Sequence, residues 1–129
     1  MSVSMRALLA SLALLAAGPA LAQDPGQAQY AATCSACHQP TGKGIKGAFP
    51  ALAGDPFVLG DPQAVVDKVL NGKGGMPAWK GELDDAKVAQ VVSYIRSAWG
   101  NSASPVTAAM VAAERAKSAP SAERGMQAH

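Results

Sequence analysis

Apolar residues along this chain fall into helical stripes separated by glycine-rich gaps. Val65, Val66, Val69 and Leu70 recur at the three-and-four spacing of one helix face. Val88, Val91, Val92, Ile95 and Trp99 do the same later in the chain. Each stripe carries its own punctuation. Asp61-Pro62 supplies an N-cap and a first-turn proline, and Asn71-Gly72 ends that helix. The later helix opens at Asp84, with Leu83 and Val88 placed as a hydrophobic staple, and Gly100 closes it. Asp24-Pro25 repeats the cap-and-proline signal for a short helix running to about Cys34, which sets Gly26 and Tyr30 on one face. Between these helices lie Gly42 to Gly54 and Lys73 to Trp79, whose glycines and prolines specify turns rather than regular ladders. No stretch reads as a convincing strand. The pattern predicts an all-α domain of three main helices and long loops, and so much irregular backbone needs something besides side chains to fill its centre.

The two ends read differently. Residues 1–22 have the form of an export signal: Arg6 at the start, an apolar run from Ala7 to Ala17 broken only by Ser11, then Gly18-Pro19 and the small-x-small site Ala20-Leu21-Ala22. The run falls short of the ~20 residues a membrane-spanning helix needs. From Asn101 the composition turns to alanine, serine and polar residues. Ser104-Pro105 offers a start for one more helix, about 106–117, but its apolar face is mostly alanine and promises little burial. The remainder, to His129, reads as disordered. The expected division is therefore a leader at 1–22, a domain at 23–101 and a tail at 102–129.

Charge narrows the classes. The chain has 11 basic and 9 acidic residues, and loss of Arg6 with the leader brings it close to neutral. No basic tract points to nucleic acid, and nothing after the leader could span a membrane.

The two cysteines stand three positions apart, in Cys34-Ser35-Ala36-Cys37-His38. Cys-x-x-Cys-His is the attachment signature of c-type haem: each thiol can add to one vinyl group of a porphyrin, and the adjoining imidazole can reach the iron. Two other chemistries use paired cysteines. A zinc cage would need further thiolates, and the chain has none. A redox dithiol normally opens a helix after a strand in a βαβ unit, which this pattern lacks. An exported protein with a single such pair suits haem thioethers better than a disulfide framework.

Several separated motifs then fall into one order: Gly26-x-x-x-Tyr30, Cys34-x-x-Cys37-His38, Phe49-Pro50-x-Leu52-Ala53-Gly54, Met76-Pro77-Ala78-Trp79, and Tyr94-Ile95-Arg96-Ser97-Ala98-Trp99-Gly100-Asn101. In these the chain, from about Asp24 to Asn101, resembles the class I cytochromes c. It is most similar to the small monohaem domains that serve periplasmic dehydrogenases and terminal oxidases. The resemblance implies the cytochrome c fold, wrapped around one haem c attached through Cys34 and Cys37. It implies His38 as proximal ligand and Met76 as distal ligand, with the carbonyl of Pro50 accepting from the other nitrogen of His38. It further implies Trp79 near a haem propionate, with plain wall packing as the alternative, Leu52, Ala53 and Val69 at the pocket wall, and Gly26 and Tyr30 packed against Val91 and Tyr94 where the first and last helices cross.

The function these features predict is a periplasmic one-electron shuttle, not an enzyme, working with redox partner proteins such as a dehydrogenase or terminal oxidase. It would be a monomer or a subunit of a complex. One alternative is a fixed cytochrome subunit of such a complex. Another is a haem enzyme or sensor, which would need an open distal site with polar groups beside it. Met76 argues against that reading, and the other histidine, His129, stands at the C-terminus.

Overall fold

The computed structural model describes residue 18 and residues 21–118. Among these the chain forms helices and no strand: α1 (Pro25–Thr33), α2 (Ser35–His38), α3 (Pro56–Leu59), α4 (Pro62–Asn71), α5 (Asp85–Ile95) and α6 (Ala108–Ser118). Isolated antiparallel bridges, Ile45 with Phe49 and Lys73 with Met76, pinch the two long loops. Most of the expected leader, and the end of the tail with His129, lie outside the described residues. No described helix is long and apolar enough to cross a membrane.

The three main helices start where their caps demand. Asp24 accepts from the backbone N–H groups of Gly26 (2.7 Å) and Gln27 (3.2 Å). Asp61 accepts from Gln63 (2.9 Å), and Asp84 from Lys87 (2.8 Å). Each satisfies donors that a helix N-terminus would otherwise leave unpaired. Asp55-Pro56 carries the same signal: Asp55 accepts from Val58 (3.2 Å), and α3 runs for a single turn.

Burial follows the stripes. Val65, Val66, Val69 and Leu70 of α4 and Val88, Val91, Val92 and Ile95 of α5 form one core with Tyr30, Val58 and Leu83. α1 crosses α5 at Gly26, where an added Cβ would run into the Gln90 carbonyl and the Cβ of Tyr94. A side chain at Gly26 would push the two helices apart.

Two sequence expectations need correction. The stripe through Trp99 suggested that α5 continues to Gly100, but the helix ends at Ile95. The Ser97 and Ala98 N–H groups turn back on the Tyr94 carbonyl (3.0 and 2.8 Å), and Trp99 takes a left-handed φ of 54°. This turn swings the indole off the helix axis onto Gly42 and the rings of Tyr30 and Tyr94, at centroid distances of 5.0 and 5.6 Å. Aromatic contact and a hydrogen bond from Nε1 outweigh the extra helical turn.

The second correction concerns the tail, which docks. α6 packs against both α4 and α5, with Val106 and Val111 joining the core. Ser93 Oγ seals the approach, accepting from the Val106 N–H (2.9 Å) and donating to the Val106 carbonyl (3.1 Å). Val111 has no exposed surface. Val111→Ala is therefore expected to lower stability by about 2 kcal/mol, from two buried methyls and the void they leave. A thermal unfolding midpoint unchanged by Val111→Ala would return the tail to a solvated appendage.

Candidate functional site

The backbone makes one rigid unit of the cysteine pair and the histidine. Cys34 ends α1, donating its N–H to the Tyr30 carbonyl (2.9 Å), and at once caps α2. Within that single turn Cys37 N–H and His38 N–H both bond the Cys34 carbonyl (3.3 and 3.0 Å). Side chains three and four apart share a helix face, so both thiols and the imidazole are presented together. Both cysteines are free and half-buried. Burial pushes the Cys34 thiol above its ordinary value; the neighbouring Cys37 adds to this, while the contact with the Thr33 hydroxyl (3.3 Å) opposes it.

The loop after His38 folds back to meet its ring. Gln39 adopts a φ of 66°, reversing the chain. The Gly44 N–H bonds the His38 carbonyl (2.9 Å), and Leu52 and Ala53 N–H groups bond the Gly42 carbonyl (2.7 and 2.9 Å). This closed loop puts the Pro50 carbonyl 2.9 Å from His38 Nδ1, the pairing the resemblance implied. With Nδ1 donating there, the lone pair of the ring resides on Nε2.

Residues read from the sequence as packing groups only, or not singled out, fix this loop. Tyr30 donates its hydroxyl to the Gln39 carbonyl (2.6 Å), and Trp99 Nε1 donates to the Pro40 carbonyl (2.9 Å). Gly42, at φ +67°, lies flat beneath the Trp99 ring, where any Cβ would overlap the indole. Burial, reinforced by Cys34 and Tyr94, holds the Tyr30 hydroxyl well above the ordinary tyrosine range, so it stays a donor. Buried Asn101 is the third anchor. Its Oδ1 accepts from the Gly54 N–H (2.7 Å), and its Nδ2 donates to the carbonyls of Leu52 (3.1 Å) and Ile95 (2.7 Å). The C-terminal end of α5 therefore grips both flanks of the segment carrying Pro50. Asn101 stood in a recognisable motif, but its role depends on contacts some 47 residues away, which no local pattern encodes.

Met76 sits in the loop between α4 and α5, where paired backbone bonds join it to Lys73 (3.0 and 3.2 Å). Beyond it, the Trp79 and Lys80 N–H groups bond the Val69 and Leu70 carbonyls (3.1 and 3.2 Å), fastening the loop's exit to α4. Cys34, Leu52, Met76 and Trp79 are all partly buried and pack against the same core. Ile45 and Phe49, on the loop facing His38, keep 46% and 38% of their surface exposed. The described residues thus offer two half-buried thiols, an imidazole with one committed nitrogen and, on the 72–84 loop, a thioether packed against the same core. Among the described residues, no group of three or more His, Cys, Asp or Glu side chains is placed to hold a metal ion by itself.

Residues 21–95, more than half of the chain, match the family described as cytochrome C oxidase, cbb3-type, subunit III. Cytochrome c-552 of Thermus thermophilus is 36% identical over 124 residues, covering 81% of this chain and 83% of that protein. Cytochrome c6 of Chlorolobion braunii is 35% identical over 77 residues, covering 54% of this chain and 83% of that one. The cytochrome c subunit of alcohol dehydrogenase (quinone) from Gluconacetobacter polyoxogenes is 34% identical over 114 residues, or 78% of this chain. The chain spans 19% to 26% of the length of the dehydrogenase subunits it matches. By the matched family model and by its likeness to a cytochrome c of similar length, the chain belongs to the cytochrome c domains of the cbb3-type subunit III family.

Proposed function

We propose that the chain carries single electrons, holding one haem c through thioethers from Cys34 and Cys37, with His38 and Met76 as axial ligands. When bound, the haem iron supplies a one-electron Fe(III)/Fe(II) couple. The observation that carries the proposal is the hydrogen bond from His38 Nδ1 to the Pro50 carbonyl. It fixes the tautomer and ring plane, leaving the Nε2 lone pair available to ligate. Imidazole and thioether both suit iron in either oxidation state, so few atoms move on electron transfer, and the weakly donating thioether favours Fe(II). Leu52 and Trp79 belong to the wall that shields such a group from water.

The residues fit haem in a further respect. Four half-buried side chains, from the α1–α2 junction, the 42–54 loop and the 72–84 loop, pack against the core, and the 42–54 loop also carries the exposed apolar side chains of Ile45 and Phe49. Such apolar side chains suit contact with a flat apolar group.

The chain itself performs no catalysis in this reading, because Met76 fills the position that a peroxidase or ligand sensor keeps open. Export to the periplasm is the compartment proposed, from the leader at 1–22. The partners proposed are redox proteins, a dehydrogenase or a terminal oxidase. Likeness to a dehydrogenase cytochrome c subunit favours a second arrangement, in which the domain is fixed within such a complex rather than diffusing.

The test begins with attachment. Protein from a host with haem-maturation machinery is expected to carry one haem that survives acid–acetone extraction, with the matching mass increment. Haem that extracts freely, or an unaltered polypeptide mass, would remove the thioethers from the account. Co-purification from the native host separates carrier from fixed subunit: a stable stoichiometric complex supports the second arrangement, and isolation alone supports the first.

A further inference from the structure

α6 lies across the two roots of the loop that carries Met76. That loop leaves α4 at Asn71 and enters α5 at Asp85, and α6 packs on both helices. Once Val106 and Val111 have seated in the core, the last turn of α6 reaches each root. At the α5 root, Arg115 Nη1 donates to the Lys80 carbonyl (2.6 Å), Nη2 to the Leu83 carbonyl (2.9 Å), and Nε to Asp85 Oδ1 (2.8 Å). At the α4 root, Asn71 Nδ2 donates to Ser118 Oγ (3.2 Å) and to Asp67 Oδ1 (2.7 Å). The matched family region ends at residue 95, so α6 is supplied by chain beyond it.

The loop needs such a restraint. Lys73, Gly74, Gly75, Pro77 and Ala78 are exposed, with two adjacent glycines just before Met76. Segments with few buried contacts open at low free energy, and adjacent glycines enlarge the open ensemble. How often Met76 leaves its place is then governed by how firmly the loop's ends are held.

We propose that Arg115 is a positioning residue: by binding the Lys80 and Leu83 carbonyls and the Asp85 carboxylate, it holds the Met76 loop closed and resists displacement of the Met76 thioether. This rests on the reading of Met76 as an iron ligand. The planar guanidinium is the side chain able to serve three acceptors spread over residues 80–85, because its donors form a rigid fork. The ion pair with Asp85 contributes little alone, since both side chains keep about a third of their surface exposed (31% and 36%). The two charge-assisted bonds to backbone carbonyls do most of the holding.

The experiment uses the full-length haem-loaded protein and imidazole as the displacing ligand. Arg115→Ala is expected to bind imidazole to Fe(III) about tenfold faster, equivalent to ~1.4 kcal/mol in loop opening. Hydrogen exchange at the Trp79 and Lys80 amides should accelerate by a similar factor. Arg115→Lys keeps a charge near Asp85 but cannot reach both carbonyls, so it should resemble Arg115→Ala. Val91→Ala, a core truncation away from the loop's roots, should lower the unfolding midpoint without either acceleration. The proposal is overturned if Arg115→Ala matches wild type, or if Val91→Ala accelerates both readouts equally. Should the wild-type protein show no Met–Fe(III) absorption band, the ligand reading fails separately. Amide exchange then still decides whether Arg115 restrains the loop: unchanged exchange overturns the restraint, and faster exchange supports it.

Discussion

Met76→Ala is expected to keep the proposed haem but to lose the long-wavelength absorption band of Met–Fe(III) coordination, gain affinity for small ligands, and fall in reduction potential. Attachment should survive because the thiols and His38 belong to α2 and its cap Cys34, whose geometry rests on the Cys34 carbonyl and the Pro50 carbonyl, not on the 72–84 loop. The potential falls because a thioether is a weak donor that favours Fe(II), whereas the water replacing it donates more strongly to Fe(III). A drop on the order of 0.1 V is expected, a modest part of the ~0.8 V that axial ligation spans among haem proteins. Met110→Ala is the control. Met110 lies on α6, half-buried against the core, and its loss should leave spectrum and potential in place. If Met76→Ala retains the band, Met76 is not the ligand, and Met110 is the first residue to examine in its stead.

What could be read from the sequence was mostly local. Asp24, Asp61 and Asp84 announced their helices because capping is a matter of two or three residues, and the valine stripes of α4 and α5 announced the core. The same signal at Asp55-Pro56 opens α3, yet the surrounding glycines and prolines hid a helix of one turn. The His38–Pro50 pairing came from family resemblance, since a bond across 12 residues of loop has no periodicity to reveal it. The end of α5 was misread because Trp99 continues the apolar stripe while its indole serves a different surface. Docking of α6 was missed for a related reason. Stripe reading weighs apolar area, and an alanine-rich helix has little. What seats α6 is two valines together with Ser93 and Arg115, whose partners lie 13 to 35 residues away.

Arg96 is the strongest instance of what a stripe cannot show, and its removal should have the largest effect on stability. It caps the C-terminus of α5 with 2% of its surface exposed, and among the described residues no carboxylate pairs with it. Backbone oxygens receive its donors instead. Nη1 bonds the carbonyls of Val58 (2.7 Å) and Gly60 (3.0 Å), Nε bonds the Ser104 carbonyl (2.8 Å), and Nη2 lies 3.3 Å from Ser104 Oγ. One guanidinium thereby joins α3, the end of α5 and the strand of chain leading to α6. Burying a cation without a counter-ion is unfavourable unless its donors are satisfied, and three carbonyls with the Ser104 hydroxyl go most of the way to meeting that condition. Arg96→Met keeps the aliphatic stem and removes every donor. The Val58 carbonyl is fully buried and would be orphaned, while water can reach those of Gly60 and Ser104, so a loss of about 2–4 kcal/mol is expected rather than the full sum. For a domain of this size that lowers the unfolding midpoint by roughly 10 °C or more. Arg96→Lys should recover little, because a single ammonium cannot span acceptors on both sides and is harder to strip of water. Thermal unfolding of the haem-loaded variants measures this directly. A midpoint for Arg96→Met within a degree or two of wild type would mean that apolar packing replaces the guanidinium without loss, and that the junction is held by the valines alone.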